Sequence, residues 1–169
     1  GYSMGGYVSL AFAHSYPNRL SGLGLVASQA DADNPERRQA RLRTARDVRT
    51  KGVDMVAHGV PSTLTHREDI QEKLHEMFHT VRKQSIINSL KGMAARQDAN
   101  PWLAGIKVPT LVIAGIQDKL IPAQKSRDLV AMLTKGWLIE IPDAGHLPMM
   151  EAPERVAEGL SQLISAAHN

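Results

Sequence analysis

The chain has 169 residues and no cysteine, with 43% apolar and 22% charged residues. A domain of that size buries about two-thirds of the surface its unfolded chain exposes, which excludes a disordered tail and a disulfide-stapled peptide. Twenty Lys and Arg against seventeen Asp and Glu leave a formal charge of +3, and aromatics are only 4%, so a basic, base-stacking surface for nucleic acid is not expected. No apolar run approaches the roughly 20 residues of a membrane span, and no charged-then-apolar leader opens the chain. A protein of the reducing cytoplasm is expected, with no membrane partner. The first residue is Gly rather than Met, so a part upstream is expected to be missing.

In chain order, Gly1-Tyr2-Ser3-Met4-Gly5-Gly6 fits G-x-S-x-G. It is followed by apolar residues at helical spacing from Gly6 to Tyr16, stopping before Pro17. A serine raised on a sharp strand-to-helix turn needs small residues on either side, because a Cβ there meets the adjoining strand or helix. The same turn aims the first helical amide, that of Met4, at a developing oxyanion. Gly-rich turns before helices also arise for packing alone, so the motif needs partners elsewhere.

Leu23 to Ala27 is a short apolar run read as a strand. It is apolar at successive positions, as in parallel strands covered on both faces. From Asp31 to about Asn100 no strand-like run occurs, and an inserted helical layer is expected. Asn34 with Pro35 opens one helix, whose stretch from Glu36 to Lys51 holds seven Lys and Arg and reads as a solvated face. Thr65 with Glu68 forms a capping box before Ile70, Leu74, Met77, Phe78 and Val81. A third helix is predicted over Ser85 to Arg96. The layer holds apolar residues such as Met55, Val56, Leu64, Ile87 and Met93 that either line a pocket or hold the layer together.

Within the second of these helices, His75-Glu76-Met77-Phe78-His79 fits H-E-x-x-H, which in zinc peptidases puts two imidazoles on one face with a carboxylate beside metal-bound water. The longer form of that motif would place Gly at 82 and His at 85, where Arg82 and Ser85 stand, and the downstream acidic ligand of other such peptidases has no obvious helix-borne candidate. The zinc-peptidase reading is the weakest of the alternatives. No metal and no cofactor is expected.

Leu111 to Gly115 and Trp137 to Ile141 are the next two predicted strands, separated by a helix over Ala123 to Leu133 and followed by one over Ala152 to Ala167. This alternation is an α/β pattern. Asp118 falls in the loop after the second strand and His146 in the loop after the third, at the carboxyl edge where open α/β sheets place reactive groups. A serine hydroxyl needs a base to take its proton and a carboxylate to orient that base. Along the chain they come in the order nucleophile, carboxylate, base, as Ser3, Asp118 and His146. Asp31, after the first strand, is the alternative acid.

Three segments resemble the α/β-hydrolase family: residues 1 to 6, Val-Pro-Thr-Leu-Val-Ile-Ala-Gly-Ile-Gln-Asp at 108 to 118, and Asp-Ala-Gly-His at 143 to 146. Residues 29 to 38 and 93 to 98 look like the cap region of bacterial enol-lactonase-like and esterase-like members. The resemblance covers essentially the whole chain. It implies a partial α/β-hydrolase fold, with core at 1–30 and 101–169 and a helical cap or lid at 31–100. It also implies Ser3 as nucleophile, His146 as general base and then acid, Asp118 as orienting acid, the Met4 amide as an oxyanion donor, and a small-molecule ester or lactone as substrate. Serine at position 3 argues against the dehalogenase relatives, which carry Asp there.

Such proteins normally place about half their sheet before the elbow, including the loop that supplies a second oxyanion amide. Without it, the elbow is expected to fray and the first strand to present a bare apolar edge. That edge predicts a homo-oligomer or a segment-exchanged dimer. The alternative function is a catalytically impaired hydrolase fragment that acts as an oligomerising or interaction module.

Overall fold

A computed structural model describes residues 1–168. In chain order the elements are α1 (Met4–Ser15), β1 (Leu23–Val26), α2 (Pro35–Lys51), α3 (Asp54–Gly59), α4 (Pro61–Leu64), α5 (Glu68–Thr80), α6 (Lys83–Ala95), α7 (Asn100–Leu103), β2 (Thr110–Gly115), α8 (Ala123–Ala131), β3 (Gly136–Ile141), α9 (Pro148–Glu151) and α10 (Pro153–Ala167). They divide into two compact units: Gly1–Asp31 together with the chain from Asp98 onward, and Ala32–Gln97.

The first unit is built on a parallel sheet in the order β1-β2-β3. Leu23 pairs with Thr110 in one ladder, and Thr110 with Gly136 in the next. Every residue of β2 is buried, which explains its unbroken apolar run: a central strand needs apolar side chains on both faces. On one face Leu10, Ala13, Leu25, Val112 and Leu129 form a buried cluster. On the other, Leu111, Ile113, Val156 and Leu163 do the same. Gly159 lets α10 approach the sheet, since a Cβ there would lie 2.8 Å from Ile139 Cδ1.

The second unit contains helices α2 to α6, with Ala45, Val48, Val56 and Ile87 as its core. Asn34 caps α2 by accepting the Arg37 amide at 2.8 Å, with Pro35 in the first turn. The capping box expected at the start of α5 does not form. Arg67 occupies the cap position, and Thr65 Oγ1 instead accepts the Arg67 amide in a tight turn one step earlier. Asp33 gathers the guanidinium groups of Arg37, Arg41 and Arg96. Its side chain is 1% exposed, so this cluster ties the two ends of the helical unit to α2. Burial alone would push the Asp33 carboxyl up, but the bonds from Arg41 and Arg96 together outweigh it and hold the group below the usual range.

The expected fraying of the elbow is not seen. Tyr2 bridges Val26 in parallel, Val26 N donates to Gly1 O at 2.9 Å, and Ser3 N donates to Val26 O at 2.8 Å. The chain's own first residues thus occupy the outer side of β1, satisfying backbone groups that would otherwise be exposed.

Candidate active site

Each predicted site residue follows a parallel strand or its bridge partner, so all three lie at one edge of the sheet. Ser3 sits beside the end of β1, Asp118 follows β2, and His146 follows β3. Ser3 has φ 47°, ψ −113°, a region that side-chain-bearing residues rarely occupy and that requires surrounding structure to hold it. Four contacts do so. Its amide is bonded to Val26 O, its carbonyl accepts from Gly6 N at 2.9 Å and from the buried Ser28 Oγ at 3.0 Å, and the neighbouring Gly5 N donates to Tyr2 O at 2.6 Å.

The steric argument for small residues holds at two positions and fails at a third. A Cβ on Gly6 would lie 2.2 Å from Ser28 Oγ, and one on Gly1 would lie 2.5 Å from the Gly5 carbonyl oxygen. A Cβ on Gly5 would meet nothing within 4 Å. The glycines that admit the close approach are therefore Gly1 and Gly6, not the fifth residue of the motif.

His146 is buried, and its Nδ1 lies 2.7 Å from Asp118 Oδ2 while its Nε2 lies 2.9 Å from Ser3 Oγ. A carboxylate only accepts, so Nδ1–H donates to Asp118 and Nε2 keeps the lone pair that accepts the Ser3 hydroxyl proton. Asp118 is fixed in turn: Oδ1 accepts the amides of Leu120 at 2.8 Å and Ile121 at 2.9 Å. Asp31, the alternative acid, bonds Lys125 Nζ at 2.8 Å and Asn100 Nδ2 at 3.0 Å. Met4 opens α1, and the amides of a helix's first turn have no acceptor inside the helix.

Two residues at the site escape sequence reasoning. Tyr2 places its ring centre 5.4 Å from that of His146, covering one side of the imidazole. Burial, then the charges of Asp118 and Glu151, raise the Tyr2 phenol and keep it neutral. Glu151, on α9, accepts the amides of Gly145 at 2.7 Å and Leu147 at 3.3 Å through one oxygen, bracketing His146 from both chain neighbours. The only sequence signal for it is a carboxylate one short turn beyond the histidine.

The other histidines lie elsewhere. His14 is exposed and stacks on Trp102, with ring centres 4.3 Å apart. His75 and His79 are on α5, near His58 of α3. Among the described residues no helix is long and apolar enough to cross a membrane.

A strained serine between a strand bridge and a helix, hydrogen-bonded to a carboxylate-held imidazole, suits nucleophilic chemistry at a carbonyl carbon. The family model described as serine aminopeptidase, S33, matches residues 1–153. The chain belongs to this family of α/β-hydrolases.

Among solved α/β-hydrolase structures, a thermophilic esterase from Thermogutta terrifontis is 35% identical, with TM-score 0.93 over 100% of this chain and 64% of that one. Among curated relatives, 3-oxoadipate enol-lactonase 2 of Acinetobacter baylyi is 28% identical over 91% of this chain and 58% of its own length. The dihydrolipoyllysine-residue acetyltransferase component of the acetoin cleaving system of Pseudomonas putida is 29% identical over 92% of this chain and 42% of its own. The chain spans 42–65% of the length of the first curated relatives it matches, and its parallel sheet with flanking helices is a partial α/β-hydrolase fold.

Proposed function

We propose that the chain is a serine hydrolase cleaving carboxylic esters or lactones through an acyl-enzyme, with Ser3, His146 and Asp118 as its catalytic triad. The carrying observation is the continuous hydrogen-bond path from Ser3 Oγ through His146 to Asp118, at 2.9 and 2.7 Å. The esterase and enol-lactonase among its relatives support the substrate class.

In this reading His146 Nε2 takes the Ser3 proton as Oγ attacks the carbonyl carbon. The resulting oxyanion is stabilised by the Met4 amide at the positive end of α1. The C–O bond then breaks, and the imidazolium gives its proton to the departing alcohol oxygen. A water, deprotonated by the same Nε2, attacks the acyl carbon, and Ser3 leaves with its proton restored. Asp118 holds the imidazole's tautomer by accepting from Nδ1–H. The helical insertion acts as the substrate lid.

The test is a fluorophosphonate label read by intact-mass spectrometry, paired with hydrolysis of a short p-nitrophenyl ester. A single adduct on Ser3, absent from Ser3→Ala, with ester turnover lost in both Ser3→Ala and His146→Ala, is the expected result. Well-folded protein that takes no label would instead identify a non-catalytic interaction module.

The proposal includes self-association. Met4, Val8, Phe12 and Tyr16 recur every four residues along one side of α1 and are all exposed, Val8 by 64% and Tyr16 by 57%. Gly6, Leu10 and Ala13 occupy the buried side. An apolar stripe of this kind favours contact with a second copy.

A further inference from the structure

Two non-glycine residues among those described have positive φ, and they flank a single bridge. Ser3, at φ 47°, follows Tyr2; Ala27, at φ 47°, follows Val26, the bridge partner of Tyr2. Ala27 is buried, and its amide donates to the Ile113 carbonyl at 2.8 Å. Strain of this kind persists only where the surroundings over-determine it, and it gathers at sites that use it. The residue after Ala27 is Ser28. Its side chain is wholly buried, and its hydroxyl donates to the Ser3 carbonyl oxygen at 3.0 Å.

That oxygen also accepts from the Gly6 amide at 2.9 Å. Ser28 packs directly on the same turn of α1, since a Cβ on Gly6 would lie 2.5 Å from Ser28 Cβ. Ser3 C=O and Met4 N–H belong to one peptide unit, which is planar and trans. The two groups therefore point in opposite directions. Whatever fixes the carbonyl also fixes the line along which the Met4 amide is aimed.

We infer that Ser28 is a positioning residue for the oxyanion donor: its hydroxyl, bonded to Ser3 O, aims and polarises the Met4 amide through the peptide between them. The inference rests on the serine-hydrolase reading proposed above. The Gly6 bond lies within the first turn of α1 and ties the carbonyl only to its own helix. Ser28 comes from the loop after β1 and ties the same carbonyl to the sheet whose later strands lead to Asp118 and His146. Its bond also adds to the polarisation of the Ser3–Met4 peptide, by about 10–30% per bond in a hydrogen-bonded chain. A donor already aimed where charge develops needs no reorganisation as the oxyanion forms. Being fully buried, Ser28 does not touch substrate, so its effect belongs to the transition state and not to substrate binding.

The experiment is steady-state hydrolysis of a short p-nitrophenyl ester by the full chain, with fluorophosphonate labelling alongside. Ser28→Ala leaves Ser3 O its bond from Gly6, so no buried carbonyl is orphaned. Its kcat should fall about tenfold with KM little changed, less than the about 10²–10³ lost with a whole oxyanion donor. Ser28→Cys restores bulk with only a weak S–H donor and should resemble Ser28→Ala. Ser126→Ala removes another buried hydroxyl, on α8, and should turn over as the parent does. For a spectroscopic readout, serine is labelled with ¹³C at its carbonyl and methionine with ¹⁵N. Ser-Met occurs once in the chain, so the Ser3–Met4 peptide alone reports, and its ¹⁵N signal should move in Ser28→Ala but not in Ser126→Ala. A parent chain that takes no label at Ser3 would refute the hydrolase reading, and this inference with it. A labelled, active parent whose kcat is unmoved in Ser28→Ala would overturn the role of Ser28 alone. So would a loss taken up by KM, full activity in Ser28→Cys, or an unmoved Met4 signal.

Discussion

Asp118 does two jobs with two oxygens, and the division predicts how its variants behave. Oδ1 is committed to the Leu120 and Ile121 amides, while Oδ2 alone faces His146. Asp118→Asn should keep the loop yet let an amide NH₂ face Nδ1, favouring the wrong imidazole tautomer. Ester turnover should fall about 10⁴-fold with the circular dichroism spectrum unchanged. Glu151 is a positioning residue in this scheme. Glu151→Ala releases the amides either side of His146, and a displacement of about 1 Å costs about 10²-fold in kcat. Glu151→Gln, which retains one acceptor oxygen, should recover part of that loss, with KM little changed in both. Ser3, Asp118 and His146, the members of the proposed triad, could be singled out in the sequence because each carries its own local context, a Gly-flanked turn or a strand followed by a loop. Glu151 and Tyr2 could not, since a carboxylate on a short helix and an aromatic in a turn have many commoner uses.

At the scale of single elements, α1 makes the sharpest contrast. Gly5→Ala places its methyl in open space within a helix and should be neutral or stabilising by roughly 0.5–1 kcal/mol. Gly6→Ala drives its methyl into the buried Ser28 and should cost about 1–3 kcal/mol. Urea denaturation of the two variants tests the pair, and the opposite ranking would refute the packing described for the elbow. In the helical unit, Asp33→Asn leaves Arg41 and Arg96 without their shared counter-charge and should cost about 3 kcal/mol.

The acid response of that cluster follows from its depressed carboxyl. Its contribution is complete above the unfolded value of about 3.9 and disappears as pH falls through the lower folded value. The native chain should therefore lose this stability only below about pH 4, and Asp33→Asn should show no such step. Urea midpoints at several acidic pH values measure it. Helix existence was readable from spacing, as at Ile70 and Leu74 of α5, which are buried. Met77 and Val81 belong to the same periodic run yet remain exposed, because a period identifies a face without saying how far along the helix its partner extends. The Asp33 cluster was invisible for a different reason: its members are 63 residues apart in the chain, from Asp33 to Arg96, and surface arginines are abundant on α2.

For the whole molecule, the α/β architecture was legible because β2 is buried along its entire length and β1 shares its apolar run, while β3, with Glu140 and only partial burial, was marked by its large apolar residues between turns. The pairing of Tyr2 with Val26 was not, since a three-residue segment carries no strand periodicity. Self-association is the molecular-scale expectation. Light scattering at low micromolar concentration should report a dimer or larger species, and Phe12→Lys, which sets a charge in the exposed stripe of α1, should shift it toward monomer. A monomer in the unaltered chain would remove the proposed second-copy contact.

The backbone of Val26 both donates to Gly1 and accepts from Ser3, and Gly24 O accepts from the Gly1 amine, so the turn that carries Ser3 is suspended from two residues of β1. Amide hydrogen exchange at Ser3 and Val26 consequently becomes a substrate-free gauge of whether the reactive turn is docked. Protection at both sites should rise and fall together, and their decoupling would mean that Ser3 detaches while Gly1 stays paired with Val26.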